Sequence, residues 1–113
     1  MNRIVKLWKQ GFQSTSGKSP AFKSFATKFK NDFKKELALR EATLTAYSIG
    51  HFYVSGFFRT KENNCFYFSI SDVRFFSETQ LLYRVAKNEG DYKGGINRYI
   101  PLETGMGLKM NLN

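Results

Sequence analysis

One residue of this chain can exchange a proton near neutral pH, His51. It follows Gly50 at the start of a strand-like run, and no serine or cysteine nucleophile has sequence context beside it. Cys65 lies among aromatics in Cys65-Phe66-Tyr67-Phe68 and reads as a small buried hydrophobe. The carboxylates are dispersed. Asp32 and Glu36 share a helical segment, where the simplest role is charge balance with Lys28 and Lys35. Glu62, Asp72, Glu78, Glu89, Asp91 and Glu103 fall in turns or loops. One histidine and one cysteine do not make a structural zinc set. No catalytic residue, metal ligand or cofactor is expected, and the chain reads as non-enzymatic.

Gly17-Lys18-Ser19, just before a helix, resembles the end of a phosphate-binding loop. That motif needs four residues between its glycines, so that successive backbone N–H groups wrap the phosphates. Five residues separate Gly11 from Gly17, no hydrophobic strand precedes them, and Pro20 removes one helix N-terminal donor. A polar loop and a helix cap account for every residue there.

The chemistry that remains is that of cations and rings. Lysine and arginine outnumber acids 18 to 9, for a net charge of +9, which suits an anionic partner such as nucleic acid or a membrane surface. Lys23, Lys30 and Lys34 lie along one edge of a helix, and Arg59, Arg74, Arg84, Lys93 and Arg98 are spread over later strands and loops. Aromatics make up 17% of the residues, with 12 Phe and 6 Tyr, so rings beyond those needed for a core could stack on bases. Tyr53 and Tyr67 are the candidates.

These side chains depend on the elements that carry them. From Ser19 to Leu39, apolar residues recur at Phe22, Phe25, Ala26, Phe29, Phe33 and Leu37, which at 3.6 residues per turn form one stripe. Ser19 suits the cap and Pro20 the first helical position. Strands are expected at 43–49, 51–59, 65–70 and 81–86, with a short one at 98–100 and an optional extension at 73–76. Lys61-Glu62-Asn63-Asn64 turns the second strand into the third, because asparagine tolerates positive φ. Residues 3–12 suit a short amphipathic arm carrying Trp8, and residues 87–95 a long glycine-rich loop. The expected fold is α+β, one main helix packed on an antiparallel sheet of about four or five strands. It forms a single domain with its core at about 18–102, an arm and loop at 1–17 and a flexible tail at 103–113.

Alternation along the strands places Phe52, Val54, Gly56 and Phe58 on one face with Phe66, Phe68 and Ile70. That face would meet the helix, and Gly56 would leave room for one of its Phe rings. Tyr53, Ser55, Phe57, Arg59, Cys65, Tyr67 and Ser69 take the other face. It is either a stacking platform for bases, ordinary cross-strand pairing, or a surface covered by the N-terminal arm.

Residues 23–30, Lys-Ser-Phe-Ala-Thr-Lys-Phe-Lys, then Gly50 to Phe58, then Leu82-Tyr83-Arg84, resemble small proteins carried by phages and conjugative elements of gut bacteria. Some proteins of that setting are counter-defence factors, including anti-CRISPR proteins that bind RNA-guided nucleases. The resemblance implies such a role. The chain departs from the acidic DNA mimics among them, and its charge fits guide RNA, target DNA or an acidic protein patch better.

The function expected is therefore a basic binding protein of a mobile element, engaging nucleic acid or a nucleoprotein effector complex. The alternative is a protein–protein inhibitor or homodimeric module acting through exposed aromatics. A lone cysteine allows no internal disulfide, the start is too charged for a signal-peptide core, and no run approaches the ~20 apolar residues that span a bilayer. A cytoplasmic location in a bacterial host, without membrane attachment, is expected.

Overall fold

The computed structural model describes residues 20–50, 53–70, 80–101 and 112, with the side chains at 20–25, 80 and 101 outside that description. His51, Phe52, Arg74, the N-terminal arm, Gly17-Lys18-Ser19, the 73–76 extension and nearly all of the tail fall outside it. One helix, α1 (Pro20–Ala38), precedes five strands: β1 (Ala42–Ile49), β2 (Val54–Thr60), β3 (Cys65–Ile70), β4 (Gln80–Ala86) and β5 (Arg98–Pro101). The strands form one antiparallel sheet in chain order, β1-β2-β3-β4-β5, so β1 and β5 are its edges. The class is α+β.

From Ala26 onward the helix buries the stripe its period dictates, while the side chains of Phe22 and Phe25 lie outside the described residues. Ala26, Phe29, Phe33 and Leu37 are fully buried, whereas Lys28, Lys30, Lys34 and Lys35 are exposed. Glu36 pairs with Arg40 at 3.1 Å rather than with Lys35, the favourable acid-before-base order one turn apart. The helix unwinds through a tight turn in which Glu41 N–H donates to the Ala38 carbonyl, and Glu41 itself adopts φ 57°.

Sheet register sorts the rings. Phe58 lies opposite Phe66, and the two rings stack at 5.3 Å between centroids. Phe68 lies opposite Gly56 and Tyr83. These residues join Val54, Ile70, Leu81 and the helix stripe in one core cluster. Phe33 meets Phe58 edge-on at 6.0 Å and Phe68 at 4.7 Å. The space beside Gly56 is not filled by a helix ring: the Ala46 carbonyl and the edge of Phe68 occupy it. The cause is a β-bulge in β1, where the pairing with β2 shifts between Leu44 and Ala46 and pushes the chain toward Gly56.

Between β2 and β3, Asn63 takes φ 68° and its N–H donates to the Thr60 carbonyl at 2.8 Å. Asparagine tolerates this left-handed conformation better than most residues.

Candidate functional site

The second face of the sheet carries Phe57, Tyr67 and Arg84 in one row across β2, β3 and β4. It is not an open platform. The segment between β4 and β5 folds back over it, and Tyr92 sets its ring edge-on to Phe57 at 5.5 Å and to Tyr67 at 5.9 Å. The Arg84 guanidinium lies 4.6 Å from the centre of the Tyr67 ring and donates to the Asp91 carbonyl at 2.7 Å. Arg84 is only 4% exposed, so its charge holds the loop instead of facing solvent.

A second clasp closes the same loop. Glu89 accepts from Arg59 Nε at 2.6 Å and Nη2 at 2.8 Å, and from the Thr45 hydroxyl at 2.9 Å. The fork-to-fork geometry holds the Glu89 carboxyl at a pKa of about 2, with the Arg59 hydrogen bond as the main cause. Asp91 accepts from the Lys87 and Lys93 backbone N–H groups, which hold its pKa below the usual carboxylate value. Cys65 is buried beneath the loop beside Phe57 and Ala86, and burial pushes its thiol pKa up.

Among the described residues, the candidates therefore do not share one positive surface. Arg59, Arg84 and Tyr67 are committed to the loop. Lys93 is exposed within that loop. Arg98 lies on the opposite face, 5.9 Å from the Tyr83 ring. Tyr53 is exposed at the β1–β2 turn, with its ring packed against Gly50. Lys23 sits on α1, three residues into the helix.

What the structure brings together is Lys30, Lys34 and β1. These two lysines line a cleft of about 240 Å³ with Leu44, Thr45, Ala46 and Tyr47. Among the described residues, no carboxylate lines the cleft and no ion pair engages either lysine, and the Glu89 carboxylate that Thr45 binds is held by Arg59. Tyr47 forms a wall. Its hydroxyl donates to the Ala26 carbonyl at 2.8 Å, and burial pushes its pKa up. Lys30 Nζ lies 5.6 Å from the centre of its ring. The β1 bulge, with Thr45 as its extra residue, falls within this lining, and the Thr45 hydroxyl donates to the Phe57 carbonyl and to Glu89.

Tyr47 was not singled out by sequence, because its strand alternation predicts only a core or surface ring. The bulge, which no local pattern announces, decides where it stands. Among the described residues, no three His, Cys, Asp or Glu side chains converge as a metal site would require. No described helix is long and apolar enough to cross a membrane. No family model matches this chain, and no curated protein or solved structure is similar to it.

Proposed function

We propose that this chain is a non-enzymatic binding protein that grips nucleic-acid phosphates through the Lys30–Lys34 edge of α1. One observation carries this reading: two exposed lysines, one helical turn apart, line a cleft with no acidic residue among its described lining, in a chain of net charge +9. An α1 lying along the sheet would hold that edge beside β1, and the Phe33 contacts with Phe58 and Phe68 support this placement. The resemblance of residues 23–30, 50–58 and 82–84 to proteins of phages and conjugative elements, read from sequence alone, would extend the proposal to a nucleoprotein effector in the host cytoplasm.

The test is fluorescence anisotropy with labelled RNA and DNA across a salt series. Each neutralised phosphate releases condensed counterion, so binding should weaken steeply with salt. Replacing Lys30 and Lys34 together by Gln should lower affinity and flatten the slope of log K against log salt by about 1.4 to 1.8 units. Binding no better than millimolar at low salt would exclude the reading.

A second reading has its own observation. Tyr92, Ile96 and Tyr99 are 66%, 83% and 53% exposed on and beside the β4–β5 loop, a set of apolar side chains that a protein partner could cover. A nuclease-treated pull-down from a bacterial host separates the two, because only a protein contact survives the nuclease.

A further inference from the structure

We propose, building on the phosphate-binding reading of the cleft, that Tyr47 stacks one unpaired base and that the ligand is single-stranded nucleic acid. The ring is fixed before any ligand arrives. Its hydroxyl is tied to the Ala26 carbonyl at 2.8 Å, and its ring lies beside Phe68 at 6.3 Å. A half-buried ring held by a neighbouring ring and at its hydroxyl loses little freedom on binding. Lys30 Nζ lies over the Tyr47 ring and Lys34 lines the same cleft, so a base stacking on Tyr47 takes the place of the Lys30 ammonium and leaves both lysines to meet its flanking phosphates.

Size and chemistry select the ligand. A cleft of about 240 Å³ suits one flat ring. A paired base inside a duplex offers neither face to a side chain, because its neighbours already stack on both. An acidic peptide added to the edge of β1 is the competing occupant. The bulge at Thr45 opposes it by interrupting the regular ladder that strand addition needs. An aromatic wall beside two cations matches a nucleotide, which has both a π-face and a charge, better than a carboxylate chain, which has only the charge.

The test uses the full chain and a short oligouridine carrying 5-iodouracil, irradiated and mapped by mass spectrometry. The expected crosslink is on Tyr47, and crosslinks confined to Tyr53, Tyr92 or Tyr99 would overturn the proposal. In parallel, anisotropy compares the oligouridine with a duplex of matched length. Wild type should prefer the single strand. Tyr47→Leu should weaken that binding about tenfold with an unchanged salt slope, since stacking releases few ions. Tyr47→Phe keeps the ring but loses its tie to Ala26, so it should bind more weakly than wild type yet more tightly than Tyr47→Leu, which separates stacking from loss of fold. Equal affinity for single strand and duplex would refute the stacking role while leaving phosphate binding intact, and so would wild-type affinity in a folded Tyr47→Leu. Displacement of the oligouridine by poly-glutamate at equal charge concentration would favour the peptide and sink the proposal. Failure of every nucleic acid to bind would remove the phosphate-binding reading itself.

Discussion

The Ala46 carbonyl oxygen occupies the space that a side chain on Gly56 would need. A Cβ built there would collide with that oxygen and press on Phe68. Backbone cannot swing aside as a flexible side chain can, so Gly56→Ala must displace the β1 bulge. We expect a loss of about 3 kcal/mol, at the upper end of ordinary overpacking costs, measured by urea unfolding. Because the bulge lies within the stretch of β1 that lines the Lys30–Lys34 cleft, the variant should also bind nucleic acid more weakly. Unchanged stability would show that the bulge is not fixed at this register.

Phe33 is fully buried and touches Phe29, Phe58 and Phe68. Phe33→Ala should cost about 3–5 kcal/mol, the range for emptying a buried ring site. Phe29→Ala should fall in the same range, since Phe29 is equally buried and stacks on Phe33 at 5.2 Å. Thermal melts of both variants check this. A wild-type melt would mean that the helix ridge does not pack as described.

Glu89 titrates at about 2 because Arg59 binds its charged form, against an ordinary value of 4.5. A folded pKa below the unfolded one contributes stability that is complete above about pH 4.5 and fades as pH falls toward 2. Carbon-detected NMR of the carboxyl should show the low midpoint, and Arg59→Gln should raise it toward the ordinary value. The loop should loosen over the same acid window, seen as a loss of protection of the Lys87 and Lys93 amides relative to their intrinsic exchange rates at each pH. A Glu89 midpoint near 4.5 in the wild type would dissolve the clasp.

Arg84→Lys should not be conservative. The guanidinium lies over Tyr67 and donates to the carbonyls of Asp91 and Val85, and a lysine cannot reproduce that planar fork. A loss of about 1–3 kcal/mol is expected, with no change in the salt slope of nucleic-acid binding, because Arg84 faces the loop and not solvent. A flattened slope would return Arg84 to the phosphate-binding set.

The helix and the strands were legible in the sequence because their signals are local. Period 3.6 from Ala26 to Leu37 and period 2 along Phe66–Ile70 report burial without reference to the rest of the chain, whereas Val54 to Phe58 are buried on both faces and their alternation marks only which face each side chain takes. The Asn63 turn was legible for the same reason, since one residue's backbone tolerance decides it. Tertiary structure alone decided the fate of the second sheet face. Whether Tyr67 and Arg84 meet solvent depends on where the 87–97 loop lands, and Glu89 reaches Arg59 and Thr45 across 30 and 44 residues of chain. No periodicity encodes contacts at such separations. The bulge in β1 was equally hidden, because it arises where the Ala46 carbonyl finds the one strand position without a Cβ, and that match exists only after β1 and β2 have paired.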